Sequence, residues 1–127
     1  MKKLIQRIPR SILLILVINI IIYLFVLLFS FIGVHLNDMF LGAYPFASPN
    51  YSFHQIFTSM FTHSEYDESH IIVNLIIFLL FSFGVYRTYG NRGVYITYII
   101  SGMVSSLIAM GYMSSQYVEN IYYLKKV

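Results

Sequence analysis

A run of apolar residues without a single charge follows a short basic leader at the start of the chain. The run is SILLILVINIIIYLFVLLFSFIGV, residues 11–34, and the leader is MKKLIQRIPR. As a helix rising about 1.5 Å per residue, the run is long enough to cross a bilayer core of about 30 Å. It is longer than a signal-peptide core of about 7–15 residues, and no small-residue cleavage site follows it. We therefore predict an uncleaved membrane anchor.

The composition of the whole chain is also that of a membrane protein. Hydrophobic residues make up 58% of its 127 residues and charged residues only 10%, with a mean hydropathy of +0.73. A soluble domain carries about 25% charged residues. The basic residues behind the net charge of +3 lie at the ends of apolar runs, which argues against a nucleic-acid surface. We expect one small integral membrane domain over residues 1–127, and the lack of cysteine excludes disulfides and thiolate chemistry.

Two further apolar runs have lengths that suit spanning helices, and a short turn separates them. The segment between them is RTYGNRG, and its Gly90 and Asn91 are turn residues, so the two runs should be antiparallel neighbours. The fold class that we predict is an all-α membrane protein with three transmembrane helices. The predicted spans are residues 11–34, 70–86 and 94–113, and the turn is 87–93.

A long segment, residues 35–69, separates the first two predicted spans. A connection of this length in a compact protein is more often functional than idle. Its apolar stretch FHQIFTSMF is too short to span a membrane, and it predicts short helices over residues 52–63 that lie near the outer interface. We expect Phe53, Phe57 and Phe61 to be buried against the second or third span.

The distribution of charges predicts the orientation. Cations precede the first span and occupy the 87–93 turn, whereas the 35–69 loop carries acids and no lysine or arginine. The positive-inside rule then places the N-terminus and the turn in the cytoplasm and the loop outside. Lys125 and Lys126 argue weakly against this orientation. The residues counted are Lys2, Lys3, Arg7, Arg10, Arg87 and Arg92 on one side, and Asp38, Glu65, Asp67 and Glu68 on the other.

Two polar residues open the second apolar run, at His70 and Asn74. Their spacing of four places them on one helix face, about one turn apart. A carboxamide inside a membrane needs partners, so Asn74 should face protein or a wet cavity. Two hydrogen-bond donors aimed at one point could stabilise an oxyanion. On spacing alone, an interhelical hydrogen bond from Asn74 and a merely interfacial His70 remain the simpler interpretation.

A metal site is the main alternative chemistry. His54, His63 and His70, with Asp67 and Glu68, could supply nitrogen and oxygen ligands. The histidines are nine and seven residues apart, which fits no helical pair and no tight metal motif. We therefore expect neither a metal nor any other cofactor.

Four motifs in order resemble the N-terminal half of a rhomboid, the family of intramembrane serine proteases. They are HQIFTSMFTH (54–63), HIIVN (70–74), FGVYRTYG (83–90) and YIISGMVSSL (98–107). The first apolar run, with its Asn19, also resembles the family's first helix. The resemblance covers most of residues 11–110.

The resemblance implies roles for particular positions. His70 and Asn74 match the family's oxyanion-stabilising histidine and asparagine, and residues 35–69 match the first loop. The implied setting is the bilayer of a bacterial inner membrane, with transmembrane protein substrates or clients as partners. The chain departs from the family at three places. They are His54, where a tryptophan is usual, Tyr86, where an acid is usual, and the interval from His63 to His70, which is longer.

The family's nucleophile is a serine in a G-x-S turn on a fourth span, and its general base is a histidine on a sixth. The serines of GMVSS (102–106) and GYMSS (111–115) do not fit that pattern and suit close helix packing. We therefore expect a truncated rhomboid that holds half an oxyanion site, lacks the serine–histidine dyad and is inactive alone. A fragment with spans four to six would complete it. The alternative is a non-catalytic module that binds membrane proteins, like a pseudoprotease.

Overall fold

The computed structural model describes residues 8–63 and 68–125, which fold into helices joined by turns. Within these residues, two helices are long and apolar enough to cross a membrane. The predictions that rest on Lys2, Lys3, Arg7, Glu65, Asp67 and Lys126 fall outside the described residues. In chain order the elements are α1 (Arg10–Phe31), a π-helical turn (Asn37–Leu41), α2 (Gln55–Thr58) and α3 (Glu68–Leu124).

Helix α1 begins directly after Pro9, whose fixed φ of about −65° suits a helix boundary. It runs for 22 residues and ends where Gly33 adopts a φ of 80°, which a side chain would disfavour. Many of its apolar side chains remain exposed, such as Leu28 at 62%. A helix that is apolar on all sides is expected where lipid replaces water.

Helix α3 is two antiparallel arms, not one straight rod. Gly90 interrupts it with φ 66° and ψ −164°, a region that only glycine adopts readily. The ring centroids of Phe78 and Tyr98 lie 5.5 Å apart. In a continuous helix these residues would be about 30 Å apart. The first arm (68–89) therefore folds back onto the second arm (91–124) at Gly90.

The arms and α1 meet near the end where the chain reverses. Ile12, Ile15 and Val94 form the buried cluster there. The Ser11 backbone N–H donates to Asn91 Oδ1 at 3.1 Å, so the turn of α3 caps the first turn of α1. This end carries the described arginines of the chain and lies far from its described acids.

Hydrogen bonds between Asn19 and Tyr98 join α1 to the second arm in the middle of the bundle. Asn19 is 3% exposed, and its Nδ2 donates to the Ile15 carbonyl at 2.8 Å and to the Tyr98 hydroxyl at 2.9 Å. The Tyr98 hydroxyl lies 3.2 Å from Asn19 Oδ1, to which it can donate in return. A carboxamide in an apolar bundle is stabilised only when such partners are present.

Polar contacts also hold the described residues between α1 and α3, 32–63. We call them the outer segment, after their predicted side of the membrane. The Thr58 hydroxyl donates to the Leu41 carbonyl at 2.8 Å, which holds α2 against the π-helical turn. The Ser59 and Ser106 hydroxyls lie 3.0 Å apart, and Ala47 N–H donates to Ser114 Oγ at 3.3 Å. The outer segment is thus laid along the second arm of α3.

The helices of the structure differ in their ends from the predicted spans, and the spans themselves stay predictions. The predicted 87–93 turn is reduced to Gly90, because the residues on either side keep helical geometry. The third predicted span, 94–113, lies within a helix that continues to Leu124, and no proline interrupts this stretch. The first helix ends at Phe31 and not at residue 34, because Gly33 adopts its positive φ there.

The prediction for the outer phenylalanines is only partly right. Phe61 stacks at a tilt on Tyr98, with ring centroids 5.8 Å apart. Phe53 and Phe57 are instead 70% and 43% exposed, while the neighbouring Gln55 is buried. In a membrane the polar side chain gains most from a protein environment, and phenylalanine can face lipid at little cost.

Candidate functional site

A cavity of about 380 Å³ lies between the two arms of α3, with the outer segment above it and α1 beside it. Met60 and His63 reach it from the outer segment, and Asn19 reaches it from α1. Each arm adds apolar and small polar side chains. From the arms the lining includes Asn74, Phe78, Ser82, Thr97, Tyr98, Ser101, Gly102 and Ser105.

Gly102 lets the outer segment approach the second arm closely. A Cβ at this position would overlap the Met60 methyl group and lie 3.0 Å from its Cγ. Met60 therefore rests directly on the backbone of α3. This contact sets the height of the outer segment over the cavity.

His63 is the buried histidine of the site, at 6% exposure. Its Nδ1 lies 3.2 Å from the Phe61 carbonyl, which can only accept, so Nδ1 carries the proton. Its backbone carbonyl accepts from Asn37 Nδ2 at 3.0 Å. Burial lowers the pKa of His63, and the nearby His70 lowers it further, against the opposing effect of the Phe61 carbonyl. The imidazole is thus neutral at pH 7, with Nε2 as an acceptor.

The two residues singled out from the sequence are both exposed, and they differ in whether they border the cavity. Asn74 lines the cavity from the first arm. His70 is exposed one turn above it, and its ring stands edge-on to His63 with centroids 5.8 Å apart. The helix therefore places both on the side that faces the outer segment. Only Asn74 borders the cavity itself.

The polar groups of the cavity differ in whether they have partners. The Ser82 and Ser101 hydroxyls donate to carbonyls of their own helix turns, Leu79 at 3.3 Å and Tyr98 at 3.2 Å. Within residues 8–63 and 68–125, the Asn74 carboxamide and the Ser105 hydroxyl form no hydrogen bond. Both therefore offer hydrogen-bonding capacity to whatever enters the cavity.

A serine–histidine contact does occur elsewhere, at the end of α1. Ser30 Oγ and His35 Nδ1 are 3.4 Å apart, beyond the usual O–H···N distance. The two residues are close in sequence and follow the helix end, and neither lines the cavity. This contact belongs to the termination of α1.

The described residues of the alternative metal site do not form a cluster of three ligands. In the described part of the chain, no group of three histidine, aspartate or glutamate side chains lies close enough to hold a metal ion. His63 and His70 are neighbours, whereas Asp67 lies outside the described residues. The rings of the two histidines meet edge to face, with centroids 5.8 Å apart.

Sequence reasoning missed the structural importance of Gln55 and His63. Gln55 Oε1 accepts from Ser52 N–H at 3.0 Å, and its Nε2 donates to the Asn50 carbonyl at 3.2 Å. The signal was a second stripe at helical spacing, Ile56, Met60 and His63, beside the phenylalanine stripe. The polarity of His63 in this stripe, and of Gln55 next to Ile56, identifies this side of the segment as the one that faces protein.

A family model for the rhomboid domain matches residues 50–120, more than half of the chain. No curated protein and no solved structure matches it. The matched residues contain α2, most of α3 and nearly the whole lining of the cavity. The chain therefore belongs to the rhomboid family of integral membrane proteins, whose members are generally intramembrane serine proteases.

Proposed function

We propose that this chain supplies the oxyanion-stabilising side of a rhomboid-type intramembrane serine protease acting on transmembrane proteins. Residues 1–127 would act as one rhomboid-like domain that crosses the membrane three times, through α1 and the two arms of α3. The N-terminus and Gly90 would lie in the cytoplasm of a bacterial cell, and the outer segment would lie on the opposite side.

The observation that carries this proposal is the Asn74 carboxamide. It borders the cavity between the arms, and no described residue hydrogen-bonds to it. Asn74 is exposed in this chain, so the proposal requires that a further membrane segment cover it. In a site with little water, a hydrogen-bond donor stabilises a developing oxyanion far better than the same group in water. His70, one turn above and against His63, is the second donor that we assign to this role.

The serine nucleophile and the general base would come from a complementary membrane segment with spans four to six. In the described residues, no serine of the cavity hydrogen-bonds to a histidine, and a serine nucleophile needs such a base. Small polar side chains on the second arm, at Ser101 and Ser105, suit the close approach of such a segment. We expect the 127-residue chain alone to be inactive.

Co-expression tests this assignment. The chain would be produced with and without a fragment carrying a rhomboid G-x-S serine and the histidine-bearing span, together with a labelled single-span substrate. We expect cleavage only when both parts are present. A fluorophosphonate should label the complementary fragment and leave this chain unlabelled. Labelling of this chain that disappears on Ser105→Ala or Ser30→Ala would contradict the proposal.

A non-catalytic role is the second candidate, and the same free carboxamide favours it. A client helix could satisfy Asn74 and Ser105 by interhelical hydrogen bonds without any bond cleavage. A photo-crosslinker at Phe81, which lines the cavity, would then trap an intact client helix. Trapping of cleaved product in the presence of the complementary fragment would argue for the protease instead.

A further inference from the structure

A second groove, of about 410 Å³, lies at the other end of the molecule between α1 and the second arm of α3. Its lining is Arg10, Leu13, Leu14, Val17 and Tyr95. The four α1 residues follow the i, i+3, i+4, i+7 spacing of a single helix face. An arginine thus stands at the mouth of an apolar stripe that leads along the helix toward the bundle centre.

The wall that Tyr95 provides is anchored. Tyr95 packs against the buried cluster of Ile12, Ile15 and Val94, so its ring is held beside α1. On the α1 side, Leu14 is 49% exposed and Val17 is 41% exposed. The groove therefore combines a fixed aromatic wall with an open apolar floor, a shape suited to a flexible hydrocarbon chain.

The described charges around the groove are positive. Arg10 is at the start of α1, and Arg87 and Arg92 flank the reversal at Gly90, whose neighbour Asn91 contacts Ser11. Of the acids whose side chains are described, Asp38 follows the far end of α1 and Glu119 lies toward the far end of the second arm. At about 1.5 Å per residue, the 22 residues of α1 separate the two ends by about 30 Å.

We propose that this groove binds one anionic phospholipid, with the headgroup phosphate at Arg10 and an acyl chain along Leu13, Leu14 and Val17. An arginine at a helix end reaches the interface, where phosphate is the available anion. Basic pockets between transmembrane helices bind anionic headgroups in this way. The seven-residue rise from Arg10 to Val17 is about 10 Å, which lies within a single leaflet.

The chain contains no tryptophan, so the fluorescence of a single introduced tryptophan reports on its own surroundings alone. Tyr95→Trp places one indole in the groove wall and keeps an aromatic ring with a donor. The full chain would be reconstituted in bilayers containing brominated phosphatidylglycerol or brominated phosphatidylcholine, whose bromine quenches a contacting indole. Leu24→Trp, 57% exposed and further along α1, is the reporter for ordinary lipid contact.

We expect brominated phosphatidylglycerol to associate about fivefold more strongly than phosphatidylcholine at the Tyr95→Trp reporter, from the contribution of one interfacial arginine. The Leu24→Trp reporter should show no preference. Arg10→Gln should remove the preference at position 95, whereas Arg92→Gln, a matched loss of charge at the same end, should leave it. If both variants lost the preference for phosphatidylglycerol equally, the preference would come from general surface charge, and the proposal would be overturned.

A measurement without tryptophan guards against damage by the reporter. Native mass spectrometry of the otherwise unmodified chain, released from detergent with each lipid, should retain phosphatidylglycerol and lose it on Arg10→Gln but not on Arg92→Gln. Equal retention of both lipids would contradict the site. Absence of quenching by either brominated lipid would mean that protein, such as a second copy, covers the groove, and would also overturn the proposal.

Discussion

At the scale of single residues, His63 connects the outer segment to the cavity, which it lines. Its imidazole is buried, its Nδ1–H is held by the Phe61 carbonyl, and its backbone carbonyl accepts from Asn37. His70 rests against its ring. A change of charge at His63 would therefore disturb both the docking of the segment and the position of His70.

The outer segment should loosen in acid because of His63. Its pKa is lowered in the fold from 6.5, chiefly by burial, so below pH 6.5 the unfolded segment binds more protons than the folded one. The contribution of His63 to the stability of the docked segment is thus fully present above pH 6.5, and it is lost as the pH falls toward the folded-state pKa. Limited proteolysis in detergent above and below pH 6.5 measures it.

His63→Gln should flatten that pH profile, and His54→Gln, at an exposed position on the same segment, should not. An unchanged profile in His63→Gln would assign the pH dependence to another group.

Gly102 gives a second prediction at this scale. A methyl group at this position meets Met60, so Gly102→Ala should be less stable than Gly84→Ala by about 1 kcal/mol, the low end of the cost of overpacking, because the overlapping methyl ends a flexible side chain and both variants gain helix propensity. Gly84→Ala is the matched control, because a Cβ at that position would meet nothing within 4 Å. Denaturation in mixed micelles compares them. Equal free energies of unfolding in the two variants would show that Met60 moves aside at no cost, which would contradict the prediction.

At the scale of elements, the reversal of α3 at Gly90 and the capping of α1 by Asn91 hold the helices together. Asn91→Ala removes the acceptor for Ser11 N–H and should cost about 1 kcal/mol, the usual effect of a lost cap. Asn91→Asp keeps an acceptor and should retain most of the stability. Unfolding in mixed micelles, with Asn120→Ala as control, measures this. A loss in Asn91→Asp equal to that in Asn91→Ala would exclude capping.

The apolar helices were predictable from hydropathy alone, but their ends were not. Hydropathy reports where lipid contact ends, so it stopped the third span at Met113, whereas helical hydrogen bonds continue to Leu124. It also cannot tell a seven-residue turn from a single glycine in an unusual conformation, as at Gly90. The end of α1 depends on the backbone of Gly33 in the same way.

Part of the cavity lining was predictable from polar residues in apolar runs, whereas the catalytic role of His70 and Asn74 stays a prediction. Asn74 lies in the cavity wall, as its polarity in an apolar run suggested. The burial of Gln55 and His63 was missed, because two stripes at helical spacing compete in the same segment and the aromatic one looked more apolar. In lipid, the requirement for polar partners decides between them.

At the scale of the whole molecule, the arrangement of the helices predicts the topology of the chain in the membrane. The reversal at Gly90 should lie on one side of the membrane, and the outer segment and the end of α3 on the other. The chain has no cysteine, so single-cysteine variants at Asn50, Tyr89 and Asn120 can be labelled with an impermeant maleimide. We expect positions 50 and 120 to react from outside and position 89 only after permeabilisation. Labelling of all three from one side would contradict three crossings.

The central claim is that Asn74 acts on the oxyanion of a reaction whose nucleophile a complementary segment provides. The most direct measurement is the rate of substrate cleavage by the co-expressed pair, compared between Asn74→Ala and the control Asn120→Ala, which does not line the cavity. We expect Asn74→Ala to lower kcat by about 10²–10³-fold, the usual effect of removing one oxyanion donor, with Asn120→Ala unchanged. Cleavage that proceeds equally in both variants would contradict the account.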